Sequence, residues 1–388
     1  MRQAVIVIGS SYGDEGKGLA AALSAKRLGG NCLNVLINGG AQRGHTVEWR
    51  DGRRHVFHHF GSAAALGGVS CADEDYIVNP LLYCEEREKL KDVGLRPELT
   101  VSSRCRVSLP WDMMLGQIIE ESRGKARHGS CGCGIFETVV RFRDCPGALR
   151  YGDLYRLSEK EFSEYARDVS GSYMPKRLRE MGIKMDEKWR AAAEREELIR
   201  RTWMDVESML ESTRVFESWT DMASPWRTLI FEAGQGLALD EGNAEDFPYL
   251  TPSHTTSLVS ARRIASLPGD TAAEVDYVTR TYLTRHGPGP FPSECRKEEI
   301  NAEMEDRTNV PNPHQQRLRY GWFDARRVRE RVFGDLEASR RVLPGLKARL
   351  TVTHLNETGG ELAGGDRLDE MKKGFDFLTL SDSPYIPE

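Results

Sequence analysis

The 388-residue chain has no apolar run near the roughly 18 residues that a membrane-spanning helix requires. It also lacks the apolar core and small-residue cleavage site of a secretory leader. The opening MRQAVIVIGSSYGDEGKG passes from one basic residue through a short β-type run into a glycine loop. There is no excess of basic charge: the formal net charge is −5, whereas bulk electrostatic binding to nucleic acid shows as a strongly basic face. The eight cysteines (32, 71, 84, 105, 131, 133, 145 and 295) form no CxxC pair and have no matching histidine spacing, which argues against a zinc site or a disulfide framework. Internal repeats and low-complexity linkers are absent as well. These absences predict a cytoplasmic protein with reduced thiols, acting on neither membranes nor nucleic acid.

Apolar residues make up 39% of the chain and are spread along it, so disorder is excluded. The length allows two or three domains, or one large α/β domain with insertions; the pattern of elements favours a single domain over 1–388. Residues 3–8 (QAVIVI) read as a buried strand, 10–18 as a turn, 17–28 as a helix and 34–38 (NVLIN) as a second strand. Continuous apolar runs of this kind, joined by a helix, predict a mostly parallel central sheet with helices on both faces. Further strands are expected at Tyr76–Val78, Thr228–Glu232, Ala273–Leu283 and Arg349–Thr353. Residues 155–213 read as a helical insertion, with apolar positions recurring at three- and four-residue spacing. Segments 287–320 and 356–388, rich in Gly, Pro and polar residues, read as ordered loops and a tail.

Two motifs carry chemistry. The first is Gly9-Ser-Ser-Tyr-Gly-Asp-Glu-Gly-Lys-Gly18, between strand and helix, where glycine amides and a helix N-terminus can close around phosphate and Lys17 can reach a terminal phosphate. It departs from the usual phosphate loop: Ser11 stands at the first glycine and Gly18 at the hydroxyl residue that holds Mg²⁺. Another group must then hold the metal, and Asp14 or Glu15 is a candidate ligand or base. The alternative is a plain glycine turn. The second motif, Asn38-Gly-Gly-Ala-Gln-Arg-Gly-His45-Thr46, follows the second strand at the carboxyl end of the sheet, where open α/β folds bind ligands. His45 is either a donor to a phosphoryl or carbonyl oxygen or a structural loop histidine.

Together these motifs resemble adenylosuccinate synthetase, and further matches follow in the same order: Gly129-Ser-Cys-Gly-Cys-Gly134, Leu149–Leu154, Phe231-Glu-Ala-Gly-Gln-Gly236, Phe247–Thr251 with His254–Thr256, Thr284–Pro292 and Arg317-Leu-Arg-Tyr-Gly-Trp322. The resemblance runs from residue 4 to about 358. It implies a Mg²⁺-dependent homodimeric ligase that joins L-aspartate to C6 of a 6-oxopurine nucleotide through a 6-phosphoryl intermediate, using a nucleoside triphosphate. By that resemblance Asp14 removes the N1 proton, His45 stabilises the transferring group and Lys17 with the loop (Ser11, Gly13, Glu15, Gly16, Gly18) binds phosphate. Gln235 holds the purine edge. Gln42, Gly44, Thr46, Ser130, Cys131 and Thr251 contact the nucleotide, with Asp14 and the Gly44 carbonyl as metal ligands. Arg317 and Arg319 match the arginines that grip the aspartate carboxylates, a task suited to a guanidinium fork. Arg141 or Arg143 would reach a partner's nucleotide phosphate or else serve only as surface charge; Arg143 is the one assigned here.

Several positions depart from the family. Cys131 replaces a threonine, Asn312-Pro-His-Gln-Gln316 replaces a Thr-Thr-Gly turn, and Gln42-Arg43 stand where the housekeeping enzyme has Asn-Ala, beside the purine. The family's Thr-Lys-Leu-Asp, whose aspartate selects the guanine of GTP, appears as Thr353-His-Leu-Asn356. An amide both donates and accepts, so it can pair with adenine; the other reading of Asn356 is a strand-end turn residue. This combination looks like the viral branch of the family, which acts on dGMP and supplies diaminopurine DNA in bacteriophages, in the host cytoplasm. Many viral members have serine at the loop aspartate, whereas this chain keeps Asp14. The alternatives are therefore an enzyme for dGMP with ATP or dATP and one for IMP with GTP. A regulatory phosphate-loop NTPase is the reading from another class, and it would need no carboxylate grip.

Overall fold

The computed structural model describes residues 1–304 and 317–386. Among the described residues nine strands form one sheet: β1 Arg2–Gly9, β2 Leu33–Leu36, β3 Val69–Ala72, β4 Leu99–Ser102, β5 Arg214–Phe216, β6 Thr228–Gly236, β7 Thr271–Arg280, β8 Lys347–Thr353 and β9 Phe377–Leu380. Their spatial order is 9-8-7-1-6-2-3-4-5, and every neighbouring pair is parallel.

β1 sits at the centre because its residues are apolar toward both faces. Ala4, Ile6 and Ile8 point to one core, with Val328, Val332 and Leu336 of helix Ala325–Val342. Val5 and Val7 point to the other, against Ala20, Ala21 and Ala25 of helix α1, Lys17–Arg27. The alanines let α1 lie close to the sheet, and Lys26 and Arg27 in its last turn suit the negative end of the helix dipole. A further core joins the helices after β3 to the insertion, which comprises helices Glu159–Asp168, Met174–Glu180, Glu187–Ala193 and Glu196–Ser212 around buried Trp111, Phe162 and Trp203.

The structure corrects the sequence reading at several places. Of Tyr76–Val78 only Ile77–Val78 is a strand, and it pairs with Arg106–Val107 in a two-stranded sheet apart from the main one. Three short strands, β3, β4 and β5, were not expected. Segment 287–320 holds strands Glu294–Cys295 and Arg319–Gly321 and helix Lys297–Ile300. Segment 356–388 contains helix Leu368–Met371 and the edge strand β9 instead of a plain tail. The tail then crosses back, so that Ile386, 2% exposed, packs in the far core and its N–H donates to the Glu48 carbonyl at 2.9 Å.

Asp276, in the middle of β7, is buried and accepts a hydrogen bond from Thr351 Oγ1 at 2.6 Å. Burial raises its carboxyl from 3.8 to about 7, against the lowering by Thr351 and Arg349. Between about pH 4 and 7 the folded chain therefore holds a proton that the unfolded chain has released, and stability falls as pH rises through that window. Asp276→Asn should flatten this slope and leave the variant more stable than the parent at pH 8, by a few kcal/mol at most given about 1.4 kcal/mol per pKa unit. Urea midpoints of the two proteins at pH 5 and pH 8 measure this; equal pH slopes would show that Asp276 does not carry the proton.

Candidate active site

A cavity of about 1890 Å³ opens at the carboxyl ends of the strands, where the loops after β1, β2, β6, β7 and β8 converge. Its floor is the phosphate loop. Glu15 is folded into that loop: Oε1 accepts from the backbone N–H of Ser11 (3.0 Å) and Gly13 (2.9 Å), and Oε2 pairs with Lys17 Nζ at 2.8 Å. A Cβ at Gly9 would lie 2.2 Å from the Glu15 carboxylate, so only glycine leaves room for this arrangement. Neighbouring elements fasten the loop from outside. Thr353 Oγ1 donates to the Glu15 carbonyl at 2.8 Å, Thr284 Oγ1 to the Gly13 carbonyl at 3.1 Å and Arg331 to the Ser10 carbonyl at 3.1 Å, while Arg280 Nε donates to the Asp14 carbonyl.

Asp14 is turned the opposite way. It has a positive φ of 58°, an uncommon conformation for a side-chain-bearing residue, and its carboxylate lines the cavity 2.7 Å from His286 Nε2. Burial pushes its pKa up, but His286, Arg280 and Lys17 outweigh this and hold the carboxyl well below the usual range. Asp14 is thus a carboxylate at the cavity wall, while Glu15 is buried (3% exposed) and does not line the cavity.

His45 opens strand His45–Glu48 and is 5% exposed. Its Nδ1 lies 2.5 Å from Glu232 Oε1, and its Nε2 is buried without a partner among the described residues. Burial and the Arg43 charge push its pKa down to about 3, against the pull of Glu232. Glu232, in β6, is held at about 2: burial raises it, but Arg43 and His45 lower it further. Ser62 completes the cluster, donating to Glu232 from its hydroxyl at 2.6 Å and its backbone N–H at 2.9 Å.

The structure brings most of the expected residues to one cavity: Gly13, Asp14, Gly16, Lys17, Gly18, Gln42, Gly44, His45, Thr46, Ser130, Cys131, Arg143, Gln235, Thr251 and Asn356 all line it. Ser11 and Glu15 turn inward to the loop. Arg43 does not flank a purine site as expected but is 1% exposed, directed at Glu232. Arg141 is buried against Asp112 (2.7 Å), which leaves Arg143 as the exposed arginine of helix Ile135–Asp144. Arg317 and Arg319 do not line the cavity. Arg319 pairs with Glu294 and donates to the carbonyls of Gly287 and Gly289, one and three residues past His286. Asn312–Gln316 lies outside the described residues. Sequence reasoning missed Glu232, Arg280, Tyr282 and Ser383–Tyr385, and gave no role to His286. Glu232 and His286 sit inside recognised motifs, which was the available signal.

The chain matches the family model described as adenylosuccinate synthetase over residues 6–334. It belongs to the adenylosuccinate synthetase family. The adenylosuccinate synthetases of Pseudomonas paraeruginosa and Pseudomonas aeruginosa are each 31% identical over 383 residues, covering 93% of this chain and 83% of theirs. Among solved structures, a fully ligated adenylosuccinate synthetase from Plasmodium falciparum superposes with a TM-score of 0.67 at 19% identity, over 91% of this chain and 77% of that one. The succinoaminodeoxyadenylate synthetase (PurZ) of cyanophage S-2L, solved with dGMP and with dATP as an energy donor, gives 0.64 at 18% identity, over 99% of this chain and 94% of that one. This adenylosuccinate synthetase relative is therefore an α/β enzyme, a C–N ligase. No helix among the described residues is long and apolar enough to cross a membrane.

Gly9→Ala should push the Glu15 carboxylate out of the loop. We expect triphosphate binding, measured by calorimetry, to weaken at least tenfold while the circular dichroism spectrum is retained. Unchanged binding would show that the inward fold of Glu15 is not needed for phosphate.

Proposed function

We propose that this ligase joins L-aspartate to C6 of dGMP with ATP or dATP as phosphoryl donor, giving 2-amino-2′-deoxyadenylosuccinate, ADP or dADP and phosphate. The observation that carries the reading is Asn356, which follows β8 and lines the cavity where the family has the aspartate that selects guanine. A carboxylate only accepts hydrogen bonds, which suits N1–H and the 2-amino group of guanine. An amide supplies a donor for adenine N1 and removes the charge that favoured guanine. The match in size to the cyanophage enzyme, 99% of one chain against 94% of the other, is in keeping with this. The reading implies diaminopurine nucleotide synthesis in a bacteriophage-infected host cytoplasm.

Phosphoryl transfer between two nucleotides needs alignment and charge neutralisation more than covalent help from the protein. Asp14, held ionised at the wall, takes the N1 proton of the acceptor, and O6 attacks the γ-phosphorus with loss of the nucleoside diphosphate. Lys17 and those loop amides that Glu15 does not engage bind the phosphates, and His45 meets the transferring group with Nε2. Gln235 holds the purine edge, while Ser130, Cys131 and Thr251 take the monophosphate, joined by Arg143 from the second subunit of a homodimer. The aspartate amine then adds at C6 and expels phosphate, its carboxylates gripped by Arg317 and Arg319 once Glu294 releases the latter.

Among the described residues no cluster of three or more His, Cys, Asp or Glu forms a metal cage. Mg²⁺ needs none, since it commonly binds through one or two carboxylates with substrate phosphates and water. The Asp14 carboxylate and the Gly44 carbonyl, both on the cavity wall, fit that pattern. Bound there, the ion would neutralise charge on the triphosphate.

The second reading is the IMP and GTP reaction. It is favoured by the 31% identity to bacterial adenylosuccinate synthetases and by retention of Asp14.

Purified protein supplied with aspartate and Mg²⁺ separates the two readings when IMP, GMP and dGMP are crossed with ATP, dATP and GTP and the succinylated product is weighed by mass spectrometry. We expect dGMP with ATP or dATP to turn over fastest, and Asn356→Asp to move donor preference toward GTP by at least tenfold, since one charge-assisted hydrogen bond is worth about 1.5–3 kcal/mol. Faster turnover of IMP with GTP would decide for the second reading. Asp14→Ala and His45→Ala should each lower turnover by about two orders of magnitude or more. A variant retaining half its activity would remove that residue from the mechanism.

A further inference from the structure

Arg43 is among the largest fully buried side chains of the protein, with relative exposure of 1%. Its Nη2 lies 2.8 Å from Glu232 Oε1 and 2.7 Å from His45 Nδ1, while Nε and Nη1 are buried without hydrogen-bond partners among the described residues. A guanidinium that leaves two N–H groups unsatisfied in the interior is a costly way to stabilise a fold.

The Arg43 Nη2, His45 Nδ1 and Glu232 Oε1 atoms form the three corners of a triangle. That oxygen is 2.5 Å from His45 Nδ1, and at this distance it must receive a proton from the ring, since two lone pairs would repel. The Arg43 proton therefore also goes to Glu232, and the 2.7 Å approach of Nη2 to Nδ1 follows from sharing one acceptor. Ser62 closes the remaining side of the carboxylate. The outcome is one ring orientation and one tautomer, with Nδ1 bound to Glu232 and Nε2 left, among the described residues, open for a ligand. Glu232 alone, on the central sheet, would be a buried anion with only a ring and a serine to face.

We propose that Arg43 is a positioning residue for His45, clamping Glu232 so that the imidazole presents Nε2 to the reacting phosphoryl group. The inference rests on the placement of His45 in the phosphoryl-transfer step. Loss of the clamp frees the carboxylate and the ring to shift without removing any group that touches substrate. Turnover then falls while binding of the three substrates stays as it was.

The test is a double-variant cycle in the full-length protein. Arg43→Ala should lower kcat about ten- to a hundredfold, by analogy with the loss when a group that orients a metal-bound histidine is removed, with KM for each substrate within about twofold. Arg43→Lys should restore a large part of it. In the His45→Ala background, Arg43→Ala should have no further effect. An equal loss in both backgrounds, or a rise in KM with kcat unchanged, would overturn the positioning role. Should His45→Ala itself leave turnover intact, the failure lies with the assignment of His45 and not with the clamp; the nitrogen chemical shifts of His45 then test the clamp directly, with a tautomer mixture expected in Arg43→Ala and an unchanged Nδ1–H tautomer counting against it. If Arg43→Ala does not fold, Arg43→Ala combined with Glu232→Gln removes the buried charge along with its partner, and the same kcat and KM comparison is made against Glu232→Gln alone. No further loss on adding Arg43→Ala is the expected result, and an added tenfold loss is the contrary one.

Discussion

A carboxylate placed inside a phosphate-binding loop should repel the ligand, and the architecture of the site follows from how that conflict is resolved. Glu15 spends its charge within the loop, on two amides and Lys17. The loop is thereby set in shape before any nucleotide arrives, which lowers the ordering cost of binding. The same bonds withhold the Ser11 and Gly13 amides and reserve the lysine, so the positive field offered to a triphosphate is moderated. Adjacent in sequence, Asp14 has the opposite fate because its left-handed backbone turns it outward to His286. Two neighbouring acids thus divide the work, one shaping the loop and the other standing at the wall.

A second charge cluster lies under the other lip of the cavity. Glu232 comes from the central sheet, Arg43 and His45 from the loop and strand after β2, and Ser62 from the turn after it. Glu232 lies on the sheet itself and Glu15 against the end of β1, while their partners His45 and Lys17 open the strand and the helix that follow the two loops. Such an arrangement lets the sheet define position while the segments leaving it supply reactivity.

How much could be read in advance depended on how local the determining contacts are. Strands β1, β6, β7 and β8 are long and β2 runs into the apolar stretch Val35–Ile37, so their runs were legible, as was the phosphate loop that joins β1 to α1. The helical insertion was legible from its spacing. Strands β3, β4 and β5 are three or four residues long and carry Ser, Thr or Arg, and β9 has a mostly exposed edge face, so tertiary pairing alone makes them strands. At the site, motif matching found the residues on the loops but not their directions. Glu15, Ser11 and Arg43 look like ligand contacts in a motif, yet each is turned inward by a partner near or far in sequence. Glu232, Arg280 and His286 acquire roles through neighbours 187 to 272 residues away, for example His45 for Glu232 and Asp14 for both Arg280 and His286. A linear reading does not supply those pairs.

The path of the chain after β9 has a consequence for the order in which the site comes into being. Ser383–Tyr385 form part of the cavity wall, and Ile386 anchors that segment in the core on the opposite side, beside Glu48. The phosphate loop is no more independent of distant chain than the wall is, because Arg280, Thr284, Arg331 and Thr353 hold its backbone from outside. Translation of the first strand and loop therefore yields no working cradle. Floor and wall of the reaction chamber take shape together, as the later strands and helices pack beside β1.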